Sequence, residues 1–328
     1  MKIGNLLVNA AYLGSKVLTA MAVGATKVWE AVSKYIKFKD PVVEQLCMKW
    51  SSDGIGLTPE DAAKVTSIGT VFRGNTEITS FEELEIFSSV KVLVDNAFRD
   101  CAALESVDIT NITTINSRAF SGCASLRHLG DTSAVKDIVG ANALQDTTQL
   151  RVQVNFPSLA KIGSSGIFIS SGITGIVSLG TVEAIPIATF RSCTNLVKAN
   201  LPTSVISIGS SAFADCTSLA DVNFSELTRL TTISESAFKR LVMPIVDLPQ
   251  SVTFIGNEAF RFAKTEKFIF RSYSPPQLNS LAFNGTPSTM SIYVPDESVD
   301  AYKSATNWSA YADRIKPMSE YVEPTNNE

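Results

Sequence analysis

One phrase recurs along most of this chain and fixes what it can fold into. Ala-Phe, or a close variant, stands at Phe98, Phe120, Phe190, Phe213, Phe238, Phe260 and Phe283, with weaker copies at Leu144 and Phe168. The anchors recur at a nearly constant interval of about 23 residues, the period of one class of repeat solenoid. Other positions keep step with them. A cysteine follows by three at Cys101, Cys123, Cys193 and Cys216, and a leucine by six at Leu104, Leu126, Leu150, Leu196 and Leu219. Ahead of the anchor runs a short aliphatic strand ending in Ile or Ile-Gly, as in Val205-Ile206-Ser207-Ile208-Gly209 and Val252-Thr253-Phe254-Ile255-Gly256. One coil therefore reads Ile-Gly-x-x-Ala-Phe-x-x-Cys-x-x-Leu-x-x-Val. So short a unit cannot bury its apolar face alone, but a stack of them buries a continuous core. Paired strands lie about 4.8 Å apart, so nine coils give a slab on the order of 40 Å long.

The repeat explains the cysteines. Four of the five occupy one repeat position, a whole coil or more apart, rather than the C-x-x-C pairs of a zinc site. Thr147, Leu241 and Ala263 replace them in other coils, which indicates packing rather than chemistry. Buried free thiols are expected, with no metal and no cofactor. The single histidine, His128, follows Leu126 at the start of a strand with no nucleophile motif nearby, and reads as a surface or strand-edge residue. No general base, nucleophile or phosphate loop supports an enzyme, since Gly163-Ser164-Ser165-Gly166 belongs to the repeat. Lys+Arg 28 against Asp+Glu 32 is the wrong balance for gripping nucleic acid. No run approaches the roughly 18–20 apolar residues that membrane insertion needs. A length of 328 residues alone would suggest two or three domains, but a stack grows along one axis and evades the size limit of a single core.

Outside the repeat, residues 1–38 read as an attachment arm. Ala11–Ala20 is echoed by Met21–Ala31, each half carrying a glycine two or three residues ahead of Lys-Val, which fits a small hairpin or an extended docking arm. A secretory signal needs an unbroken apolar core of about 7–15 residues. Asn5, Asn9, Ser15 and Lys16 interrupt this one, and the only cleavage-like site is Ala20-Met21-Ala22, so no cleaved signal is expected. Residues 39–89 read as a small helical module, with Pro41 to Phe87 helical by spacing and Val42, Val43, Leu46 and Cys47 on one face. Ser51–Ala62 has the outline of a degenerate EF-hand or dockerin-type loop. Ser51, Ile55 and Ala62 stand where calcium needs oxygen ligands, so a helix start is expected instead, with Thr58 as N-cap and Pro59 at the first helical position. Residues 90–290 form the solenoid. Residues 291–328 close it, with Tyr302 and Trp308 covering the open end.

At Ile208-Gly209-Ser210-Ser211-Ala212-Phe213-Ala214-Asp215-Cys216-Thr217-Ser218-Leu219 and at Ile115–Leu126 the chain resembles the BspA-type leucine-rich repeat family. The resemblance covers about two thirds of the chain and departs from the pattern where Leu144, Phe168 and the last three coils lack the cysteine. It implies an α+β leader followed by a leucine-rich-repeat solenoid, about nine coils of about 23 residues each, with a C-terminal cap. It also implies use in adhesion to proteins or carbohydrates. Val28-Trp29-Glu30-Ala31, Cys47-x-x-Trp50 and Gly69–Leu84 look similar to the leader of repeat proteins in virions of gut-bacterial phages, crAss-like ones included. That second resemblance implies a non-enzymatic virion structural protein, a head- or tail-attached fibre. Its arm would dock on other virion proteins while the repeats meet a host-surface glycan or protein. Fibres are commonly oligomeric, so a homo-oligomer is expected, although no sustained heptad sets the number of chains. The alternative is a secreted or surface-anchored bacterial adhesin of the BspA type. In either case the strand positions expected to face a ligand are Asp108, Lys198, Asn200, Asp221, Asn223 and Lys267.

Overall fold

The computed structural model describes residues 34–323 and, in backbone only, residues 12–13 and 16–17. The attachment arm expected over 1–38 thus lies almost wholly outside the described residues. Of it, Tyr12–Leu13 pairs antiparallel with Lys16–Val17.

Each coil contributes two short strands and a turn, and the strands stack in parallel. On one side, which we call the first face, lie the strands that follow the leucine: 80–81 with 106–107, then 153–155, 175–178, 198–199 and 221–222, then 245–248, 267–270, 291–294 and 315–317. On the second face lie the strands ahead of each anchor, in two sheets over 92–162 and 184–278. Register there is set by the aliphatic residue. Ile185, Ile208, Ile233, Ile255 and Leu278 pair in succession and all are buried. A Cβ on Gly209 would lie 2.8 Å from both the Ile185 carbonyl oxygen and the Ile187 nitrogen, so the Ile-Gly step lets this coil close against its predecessor.

The third side is the Ala-Phe turn, which explains the regularity of the phrase. The Phe rings stack through the core: Phe168 on Phe190 at 5.3 Å, Phe190 on Phe213 at 5.1 Å, Phe213 on Phe238 at 5.2 Å and Phe238 on Phe260 at 5.7 Å, all within 18° of parallel. From Phe98 to Phe260, the residues two before and two after each anchor have positive φ, as at Ser211 (56°) and Asp215 (61°) around Phe213. That conformation costs an L-residue roughly 1–2 kcal/mol, and least for Asn and Asp, which recur there as Asn96, Asp100, Asn142, Asp146 and Asp215. What holds it is a ladder between coils. The Ser211, Phe213 and Asp215 N–H groups donate to the carbonyls of Glu235, Ala237 and Lys239 in the next coil, at 2.8–3.0 Å.

The stack has ten rungs rather than nine. Phe72 lies 5.2 Å from Phe98 at 20° and is fully buried, so the first coil begins inside the segment expected as a helical module. α-Helix there is confined to α1 (Pro41–Cys47) and α2 (Pro59–Lys64), with short 3-10 turns at Met48–Trp50 and Glu82–Ile86. Between α2 and the strand at Ser80 the chain runs in turns rather than helix, and Gly69 and Gly74 turn it at positive φ (56° and 70°). Thr58 caps α2 as expected, in a box with Asp61 behind Pro59. Asp40 ties α1 to the stack. One of its oxygens accepts from Val42 and Val43 N–H, and the other from Thr79 N–H (2.6 Å), Thr79 Oγ1 and Ser80 N–H. Burial pushes the Asp40 carboxyl up, but these hydrogen bonds outweigh it and hold the group below the usual carboxylate range. One apolar core then runs from Ile36 to Ile315.

At the far end, α3 (Val299–Ser304) and the turn after it bring Tyr302 and Trp308, both fully buried, over the last coil. Tyr302 Oη donates to Ser272 O (2.9 Å) and Trp308 Nε1 to Pro276 O (2.8 Å).

Candidate ligand-binding face

The structure brings three of the six expected ligand-facing residues together as available side chains. Lys198 and Asp221 stand on adjacent strands of the first face and pair at 2.7 Å, and Asn200 lies beside them in solvent. An exposed pair of this kind contributes little to stability. Of the remaining three, two are occupied. Asn223 spans to the previous coil, accepting from Leu201 N–H and donating to Leu201 O and Glu226, so it acts as a rung of the stack. Lys267 is half-buried under the C-terminal tail, with Nζ donating to Val322 O and lying over the Tyr321 ring. Asp108 accepts from the Thr110 backbone N–H and hydroxyl, and sits at a different part of the face.

Asp108 borders a feature that sequence reasoning missed. The first face breaks between the Phe120 and Leu144 coils. His128 bridges to Ser106 on one side, which places it at a strand edge, while among the described residues strand 153–155 pairs only with 175–178 on the other. Between them opens a cleft of about 380 Å³, walled by His128, Gly130, Asp131, Gln153 and Asn155 over a floor that includes Leu129 and Phe156. It adjoins a second cleft of about 350 Å³ across His128 and Gly130, lined by Glu82, Glu85 and Asp108. Lys39 first, then Ser106, holds the Glu82 carboxyl below the ordinary range, and hydrogen bonds from Ser133 do the same for Asp131. Local sequence makes the break. Gly130 turns at φ 68°, the Asp131 carboxylate folds onto Ser133 N–H and Oγ, and the anchor that follows is Leu144, so no ring continues the stack from Phe120. The readable signal was the weak repeat copy at Leu144, which lacks both the ring and the cysteine.

The thiols form no site. Cys101, Cys123, Cys193 and Cys216 are free and buried, and each Sγ–H donates to the carbonyl of the anchor one coil earlier, Phe72, Phe98, Phe168 and Phe190, at 2.9–3.0 Å. Burial pushes the Cys193 thiol up to about 12 and drives Cys216 well above its ordinary value. Cys193 and Cys216 are therefore not expected to react with a thiol reagent at pH 8 in the folded chain, and both should react in denaturant. Rapid native labelling of Cys193 or Cys216, read by mass spectrometry, would contradict this packing. Among the described residues no group of three or more His, Cys, Asp or Glu is placed to hold a metal ion, and no helix is long and apolar enough to cross a membrane.

Comparison with known families bears on the repeat directly. A profile described as the BspA type leucine rich repeat region, in six copies, matches residues 66–197 and 183–309. The chain belongs to the BspA-type leucine-rich repeat family. Solved structures similar to this BspA-type chain include a leucine-rich repeat protein from Bacteroides ovatus, at 18% identity and TM-score 0.38, covering 77% of this chain and 88% of that one. The pneumococcal vaccine antigen PcpA is 16% identical with TM-score 0.37, covering 70% and 76%. A leucine rich cell surface protein from Faecalibacterium prausnitzii is 20% identical with TM-score 0.27, covering 77% and 83%. No curated protein sequence matches. The BspA-type match begins at residue 66, which agrees with Phe72 as the first rung.

Proposed function

We propose that this protein is a non-catalytic binding module of the BspA adhesin type, displayed at a bacterial cell surface and engaging its partner through the first face. The observation that carries the reading is a family solenoid of about ten coils whose polar first-face strands are accessible in the 198–223 sheet and at the break beside His128. A solenoid of this kind presents an extended array of regularly spaced side chains, which suits recognition of a large partner. The narrower virion-fibre reading rests on the resemblance at Val28–Ala31, Cys47-x-x-Trp50 and Gly69–Leu84, and no observation on the described residues favours it. The test is location. Brief protease treatment or antibody labelling of intact producing cells should reach the repeat region. Recovery of the protein only from purified phage particles, or only from the cytosol, would overturn surface display.

A further inference from the structure

The break in the first face leaves a strand edge with no backbone partner among the described residues. Thr174 N–H bonds to Val152 O and Phe156 N–H to Ser178 O, so the intervening ladder faces strand 175–178. The alternate residues Gln153 and Asn155 turn their backbone groups to the cleft. Among the described residues no backbone hydrogen bond joins 127–131 to 151–155, and the contact that crosses is Thr132 Oγ1 to Asn155 O. Unpaired edges of this kind accept an added strand.

The lining says what such a strand should carry. The two adjoining clefts are bordered by Glu82, Glu85, Asp108 and Asp131 and by neither lysine nor arginine. Of these four carboxylates, only Glu82 has a cationic partner among the described residues, Lys39 at 2.7 Å. Arg151, which flanks the edge strand, reaches away to Asn195. The aromatic rings in the floor, Phe156 and Phe168, are buried, so the cleft offers a sugar no ring face to stack on.

We propose that the cleft between the Phe120 and Leu144 coils binds an extended, lysine- or arginine-bearing segment of a partner protein. The segment adds to the edge at Gln153–Asn155 and places its basic side chains against Glu85, Asp108 and Asp131. This rests on the adhesin-type reading and names the chemistry of its partner.

The test uses the purified full chain and a fluorescent decapeptide of alternating lysine and valine, with the glutamate–valine decapeptide and neutral oligosaccharides as the other arms. Binding of the lysine peptide is expected to weaken about tenfold or more in the double variant Glu85→Gln/Asp108→Asn, and to fall steeply between about 50 and 500 mM salt. Gln153→Pro, which removes an edge N–H where proline is tolerated, should weaken binding while leaving the carboxylates in place. Circular dichroism and melting confirm that each variant is folded, and Asp131→Asn, which can keep the turn onto Ser133, serves as a second charge variant. Equal binding of the glutamate peptide, or lysine-peptide binding indifferent to all these changes, would overturn the proposal. So would oligosaccharide binding that depends on the same residues. Because the assay reads the isolated protein, its failure leaves surface display standing. Failure of surface labelling would likewise leave the peptide result standing.

Discussion

Phe213→Ala is expected to destabilise the chain by about 3–5 kcal/mol and to split its unfolding into two transitions. The ring is buried between Phe190 at 5.1 Å and Phe238 at 5.2 Å, both nearly parallel to it. Removing it leaves a cavity and forfeits two stacked pairs of about 0.5–1.5 kcal/mol each, which are already part of that total. In a globular core the neighbours would partly collapse. Here the ladder of hydrogen bonds on the third side fixes the spacing between coils, so the gap has little room to close. Because each coil packs chiefly against its neighbours, the defect also uncouples the coils before it from those after it. Urea unfolding followed by far-ultraviolet circular dichroism should show the lower midpoint and the second phase. Phe213→Leu should cost much less, since Leu144 already serves as an anchor. A single unshifted transition in Phe213→Ala would mean that the ring stack contributes little to cohesion.

Trp308→Ala is the second large loss, again about 3–5 kcal/mol, but confined to one end. The indole meets Phe270 and Tyr302 edge-on at 4.9 Å each, with Phe283 at 6.1 Å beneath it. It thereby seals the last coils from water. Hydrogen exchange should accelerate over residues 277–317 and remain unchanged over 80–140, since the damage is many coils away. Trp308→Phe separates packing from hydrogen bonding. It keeps most of the contact area but leaves the Pro276 carbonyl without its donor, at a cost of about 1–3 kcal/mol. Uniform acceleration along the whole chain would show that the cap stabilises the protein globally.

The repeat made most of this fold legible, and its limits show why the remainder was not. A short, constant period with Ile, Phe, Cys and Leu in step leaves one solution, a parallel stack. Residue spacing placed the buried thiols, while the capping Tyr302 and Trp308 followed from a closing segment similar to that of such repeat proteins and from the need of a stack for a covered end. Phe72 escaped because Val71 replaces the alanine before it and the gap to the next anchor, Phe98, is wider than any other in the series. The helical reading of 41–87 failed where tertiary contact outweighed spacing: Phe72 and Phe81 were drawn onto the stack at 5.1 Å from each other. The face was harder to read. Asn223 and Lys267 are polar residues on strands, but whether a polar side chain meets solvent or a neighbouring carbonyl is settled by what lies one coil away or by a tail that folds back. The cleft was invisible for a related reason. It arises where two consecutive coils fail to pair, and a repeat consensus describes coils one at a time.

The ladder on the third side has a direction. In every coil from Phe98 to Phe260, the anchor N–H points toward the C-terminal end and the matching carbonyls point back, so the two ends of the stack are chemically opposite. A stack with one donating and one accepting end is a template for its own kind: a second copy could dock head to tail and the addition would never close. Tyr311 packs edge-on against Phe283 at 5.4 Å, where an eleventh coil would otherwise begin. Alongside sealing the core, the cap thus stands where a second copy would have to dock on the donating end.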